Sequence, residues 1–137
     1  MSIRVALLIA VLALSGCGST QQKVSPVKVS PVAKFEGREV CIIDNPRVRG
    51  NFLETYKKAL VDKGYEVRIL PSSAQLSACP ITSQYVALWM YGSQLIHADI
   101  KIYNKTQPAG RAVYNSRQDG INSDEIVQEM VNRLFTN

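Results

Sequence analysis

The apolar positions of this chain change period several times, and each change marks an element. Val5–Leu14 is an unbroken apolar run of 10 residues behind Arg4. A helix that crosses a bilayer needs about 17–25 such residues, so this run is too short to span and fits the core of a signal peptide. From Gly18 to Lys34 the pattern is polar with isolated valines. It holds a tandem repeat, Lys23-Val24-Ser25-Pro26-Val27 followed by Lys28-Val29-Ser30-Pro31-Val32. Each proline removes a backbone donor and biases its neighbour to extended geometry. The segment reads as a semi-rigid tether reaching about 50 Å at ~3.1 Å per residue. The alternating valines leave an edge strand as the other reading.

Periodic structure begins near Phe35. Glu39–Asp44 is a short apolar run that predicts a strand, broken by Asn45-Pro46. A helix follows: Asn51 is placed to cap it, Glu54 stands three residues on, and Leu53, Tyr56 and Leu60 share a face. Lys57, Lys58 and Lys63 favour its C-terminal half, and Gly64 supplies a left-handed stop. Tyr65–Leu70 alternates, with Tyr65, Val67 and Ile69 on one side. Pro71–Pro80 is irregular, with room for one turn of helix. Tyr85–Tyr91 is apolar on both faces, which predicts a central strand covered on both sides. Gly92-Ser93 turns the chain. Ile96–Tyr103 alternates as a half-buried strand, Asn104–Gly110 reads as a polar turn, and Arg111–Asn115 returns as its hairpin partner. The last helix, capped by Asn122 or Ser123, carries Ile126, Val127, Met130, Val131 and Leu134 as its stripe. The fold class is therefore α+β: a β-α-β-β-β-β-α mixed sheet with two amphipathic helices packed on one face. The crossover makes the first two strands a parallel pair. The chain divides into a signal segment (1–16), a lipidated N-terminus and tether (17–34) and one α/β domain (35–137).

Leu14-Ser15-Gly16-Cys17 closes the first apolar run, and with the small residues before Cys17 it resembles the lipobox of bacterial lipoproteins. The resemblance implies that the Cys17 thiol accepts a diacylglyceryl group, that cleavage falls between Gly16 and Cys17, and that the new amine is acylated. Two or more chains anchor firmly where one does not. Gly18, not Asp, follows the cysteine, which by analogy with enteric sorting points to the outer membrane, facing the periplasm. The other reading is a secreted protein with an incidental cysteine.

In such an oxidising compartment the two remaining cysteines, Cys41 and Cys79, predict a disulfide. The alternatives are two buried free thiols or a redox pair, the latter without the C-x-x-C spacing. The net charge of the whole chain is +5. Scattered lysines and arginines suit solubility, an anionic membrane surface or an acidic partner. Nucleic acid is not an expected ligand, because an exported protein does not meet it.

Chemistry is sparse. No Gly-x-Ser-x-Gly elbow, H-E-x-x-H pair or P-loop is present. The single histidine, His97, lies on the polar side of a strand. Asp44 ends a strand with no partner acid or nucleophile, and more simply caps Asn45-Pro46. Trp89 and Tyr91 share a strand face, where core packing is the default. Arg47 and Arg49 are the candidate interaction residues, a loop pair able to hold an anionic group. No metal, cofactor or catalytic residue is expected, and the protein is not expected to be an enzyme. The order and spacing of Glu39–Phe135, including Gly64-Tyr65-Glu66-Val67-Arg68-Ile69-Leu70, resemble the small α/β domain of the TolB N-terminal type, and the whole chain resembles small uncharacterised proteobacterial lipoproteins. The expected function is that of a protein-binding or assembly module of the cell envelope with an unknown envelope partner. The alternative is a small-ligand or envelope-lipid binder using an apolar slot between sheet and helices. The sequence leaves the oligomeric state open.

Overall fold

The computed structural model describes residues 25–91, 93–116 and 122–136. The expected signal segment and Cys17 lie outside them. Six strands form one mixed sheet: β1 (Val27–Ser30), β2 (Glu39–Ile43), β3 (Glu66–Leu70), β4 (Ile81–Met90), β5 (Gln94–Asn104) and β6 (Gln107–Asn115), in the order β1-β6-β5-β4-β2-β3. Helices α1 (Phe52–Asp62) and α2 (Ser123–Leu134) complete the fold. The α+β class stands, and β2 pairs in parallel with both β3 and β4, while β4, β5 and β6 form an antiparallel meander. No described helix is long and apolar enough to cross a membrane.

One strand more is present than the sequence reading places in the domain. Residues from Ser25 onward are not a tether. Val27–Ser30 pairs antiparallel with β6, in the register Val27↔Tyr114 to Ser30↔Arg111. The reason is burial: Val27 is 2% and Val32 3% exposed, so these two valines of the repeat join the core. The prolines sit at the two ends, Pro26 before the strand and Pro31 after it, where a missing donor costs the ladder nothing. From β1 the chain runs along the end of the sheet to β2, four strand spacings or about 19 Å away. Along the way Val32 donates its amide to the Leu134 carbonyl, and Phe35 stacks on Tyr65 with ring centroids 5.9 Å apart.

Helical stripes explain the core. Phe52, Tyr56 and Leu60 of α1 and Ile126, Met130, Val131 and Leu134 of α2 are all buried. They meet the inward row of the sheet, including Val40, Ile42, Tyr85, Ala98, Ile100 and Tyr114. Phe52 stacks on Tyr85 at 5.5 Å. Asn122 caps α2, its side chain accepting from the Asp124 amide. At α1 the cap differs from expectation: Asn51 occupies the position, but its side chain makes no capping bond. Gly64 does take the left-handed stop, at φ +91°.

Two boundaries move. β4 begins at Ile81, directly after the irregular stretch Pro71–Pro80 and four residues before the strand read from Tyr85, and the 3-10 turn Leu76–Ala78 precedes it. The polar turn read as Asn104–Gly110 shrinks to two residues, Lys105 (φ +48°) and Thr106 (φ +70°). Positive φ at both central positions matches the twist of a two-residue hairpin, so β5 and β6 continue to the turn.

Candidate functional site

The reading of Tyr85–Tyr91 as a strand covered on both sides needs correction. β4 is central, but only its inward row is buried. Val86, Leu88 and Met90 point away from the helices and are 45%, 53% and 41% exposed. Both helices lie on one face, where α1 and α2 contact each other, and among the described residues no comparable element covers the other face over β4, β5 and β6.

The uncovered face has two halves. Over β2 and the start of β4 the segment Pro71–Pro80 closes it. Thr82 donates its hydroxyl to the Leu76 and Cys79 carbonyls at 3.0 and 3.1 Å. Cys41, pointing outward from β2, forms the expected disulfide with Cys79 across 38 residues. The bridge thus fastens the segment to the sheet. Arg68 places Nη2 2.8 Å from Cys79 Sγ and 3.6 Å from Glu39 Oε1. Glu39 Oε1 also lies 3.4 Å from Cys41 Sγ, a contact without a shared proton because the bridged sulfur carries none. Glu39, Cys41 and Cys79 gather three potential metal-ligand atoms. With the sulfurs bonded to each other they hold no thiolate charge, and the cationic Arg68 opposes a metal there.

The other half stays open. The cross-strand register lines up Leu88 with His97 and Asn115, then Val86 with Asp99 and Val113, then Gln84 with Lys101 and Arg111. Asp99 is almost buried on this face and accepts from Arg111 through both oxygens, at 3.0 Å from Nε and 2.6 Å from Nη2. The Asp99 carboxylate raises the Arg111 pKa through that hydrogen bond and its charge. His97 Nδ1 lies 2.7 Å from Asn115 Oδ1, so the lone histidine is a hydrogen-bonded surface residue with no nucleophile beside it. Lys28 and Lys101 are exposed and stand without an ion pair among the described residues. The result is an apolar ridge bordered by cations.

The candidate pair Arg47 and Arg49 lies on an exposed loop at the same end of the sheet as the β4–β5 turn. Gly50 fixes that placement. It has φ +77°, and a Cβ there would come within 3.2 Å of the Trp89 indole. Trp89 is half-buried beneath this loop, and its Nε1 is buried without a hydrogen-bond partner. Tyr91, expected to share its environment, is 90% exposed at the turn with φ +52°. Asn45, not Asp44, organises the loop: its side chain donates to the Tyr85 carbonyl at 3.0 Å and accepts from the Arg47 amide at 3.2 Å. Asp44 accepts from the Tyr85 hydroxyl at 3.2 Å. Burial raises the Tyr85 pKa, the Asn45 amide opposes that, and Asp44 adds to it. A shallow cleft of about 440 Å³ runs along Asp44–Arg47, Ser72 and Gln84–Val86. A second, of about 600 Å³, lies over Lys34–Arg38 and Tyr65. Both are open depressions on the surface, outside the sheet–helix interior.

The geometry defines a one-sided sheet-and-two-helix domain with an exposed apolar ridge. No protein-family model matches the chain, and no curated protein does. Among solved structures, it is similar to a chain of the PelC dodecamer from Paraburkholderia phytofirmans, with a TM-score of 0.53 and 12% identity over 79% of this chain and 94% of that one. At that identity the likeness concerns the fold.

Proposed function

We propose that this protein is an outer-membrane-anchored lipoprotein of the cell envelope that faces the periplasm and works by protein contact through the open half of its sheet. The carrying observation is the exposed ridge of Val86, Leu88 and Met90, on a face that no other element covers among the described residues. A contiguous exposed apolar patch with a polar rim is the kind of surface that marks a contact site. The lipobox at Cys17 supports the anchor, and the Cys41–Cys79 disulfide agrees with an oxidising compartment. The proposed role is non-catalytic. The partner is another envelope protein, or further copies of this chain, for which the dodecamer of the similar fold offers a precedent.

Photo-crosslinking amino acids placed in cells at Val86 and Leu88 test this. They should capture discrete adducts, identified by mass spectrometry, while Lys57 on the exposed side of α1 should capture none. Absence of adducts at both ridge positions would remove the reading. The anchor has its own test: Cys17→Ala should abolish incorporation of labelled fatty acid.

A further inference from the structure

The N-terminal segment leaves the domain at Ser25, and that exit has a defined place. The Asn115 amide donates to the Pro26 carbonyl, and Asn115 pairs with His97. Ser25 therefore lies at the end of the sheet from which the β4–β5 hairpin projects. The hairpin extends beyond His97 by four residues, about 13 Å, and β1 and β4 are three strand spacings, about 14 Å, apart. The hairpin tip thus lies about 19 Å from the exit. Cys17 to Ser25 is eight residue steps, which span at most about 27 Å. The opposite end of the sheet, at Gln107, lies nine residues along β6 from the exit level, about 30 Å away. A lipid on Cys17 therefore leaves the hairpin end well within reach of a bilayer, whereas the opposite end is reached only with the segment pulled to its full extension.

The composition of that end fits the same surface. Tyr91, 90% exposed, and Met90, 41% exposed, form the tip. Tyrosine is favoured at the headgroup boundary, where one end of the ring is apolar and the other wet. Arg47 and Arg49 lie on the loop at the same end of the sheet, Arg47 alongside Gln84–Val86, and are exposed without ion pairs among the described residues. Their loop ends at Gly50 against Trp89, two residues from Tyr91. Acidic Glu54, Asp124 and Glu125, in the first helical turns, stand at this end as well, but behind the sheet on the helix side, with Thr55 bonded to Asp124.

We infer that the β4–β5 tip rests on the lipid surface, with Tyr91 and Met90 in the headgroup region and Arg47 and Arg49 on lipid phosphates. The contact is small. It orients the domain without having to recruit it, because the anchor already supplies a high local concentration. This inference rests on the lipoprotein reading of Cys17. It also extends that reading: a domain standing on its hairpin tip holds the ridge upright, facing its neighbours in the envelope.

The test uses the full lipidated chain in vesicles of phosphatidylethanolamine and phosphatidylglycerol with brominated acyl chains. An environment-sensitive fluorophore is attached at Tyr91→Cys, Leu88→Cys or Gln107→Cys, the native disulfide being left intact. Quenching at position 91 should exceed that at position 107 by at least about threefold, with position 88 between them. The Arg47→Glu/Arg49→Glu double variant should lower quenching at position 91. Equal quenching at 91 and 107 would overturn the inference. Strongest quenching at 88 would also overturn it, because the sheet face would then lie flat on the lipid. Intact mass separates the two readings: an unacylated Cys17 removes both, whereas an acylated chain with an unquenched tip removes only this one.

Discussion

Tyr56 and Ser83 share a hydrogen bond of 2.7 Å in the interior, and Tyr56 is fully buried. Burial pushes the Tyr56 hydroxyl pKa far up, with the Ser83 hydrogen bond opposing. Burial also raises Tyr65, against the Arg38 charge, and Tyr85. A phenol whose folded pKa lies above its unfolded value of about 10 contributes stability that is complete below that pH and is lost as pH rises beyond it. The tyrosine contribution should therefore be constant through neutrality and be lost above about pH 10, as measured by denaturant midpoints across alkaline pH. Tyr56→Phe should reduce the slope of that fall. It should also cost about 1–2 kcal/mol at neutral pH, because Ser83 is left buried without its partner. Gly110 makes a second residue-scale prediction. A Cβ there would lie 2.6 Å from Val32 Cγ2 and 3.1 Å from the Ser30 carbonyl oxygen. Gly110→Ala should destabilise by about 1–3 kcal/mol and expose the segment around β1 to protease, read by limited proteolysis and thermal melts.

Among the elements, those with a clear period were legible. The five residues of the α2 stripe are all buried, and the Tyr65–Leu70 alternation holds in register against β2, with Val67 opposite Val40 and Ile69 opposite Ile42. What misled was local chemistry that reads the same in two contexts. A proline-bounded Val-x-Val is a tether if nothing lies beside it and an edge strand if β6 does, and only the tertiary partner decides. The run Tyr85–Tyr91 is apolar in both directions, so its composition could not reveal that one face lacks a cover. The candidate loop Arg47–Arg49 was visible, but its place against β4 depends on Gly50 meeting Trp89, two residues far apart in sequence. The repeat itself gives a test of β1. Deleting Lys23–Val27 or Lys28–Val32 produces the same chain, with Gln22 in the place of Val27 before one Lys-Val-Ser-Pro-Val. Losing the buried Val27 side chain to an amide should cost about 2–3 kcal/mol, read by chemical denaturation, and Gln22→Val in that deletion should restore it.

For the molecule as a whole, the two faces of the sheet are held by different means. Helices and a continuous core secure one, while a disulfide secures the covered half of the other. Replacing Cys41 and Cys79 by alanine should cost up to about 4 kcal/mol on the loop-entropy model for the 38-residue separation, seen as a lower melting temperature. The ridge should remain, because β4 and β5 do not depend on the bridge for pairing. The strand that joins the N-terminal segment to the domain has a further consequence, a mechanical one. β1 lies antiparallel to β6, and the chain enters it at Ser25 from the end of the sheet that carries the hairpin tip. Tension transmitted from the N-terminal segment would act along the strand axis. It would load the β1–β6 hydrogen bonds together, in shear, instead of peeling them one at a time. Ser25 adds a latch at the point of loading: its hydroxyl donates to Glu129 at 2.7 Å, and Arg133 donates to the Val27 carbonyl at 2.8 Å. An edge strand of four residues thereby becomes a grip suited to a protein that is pulled from one end.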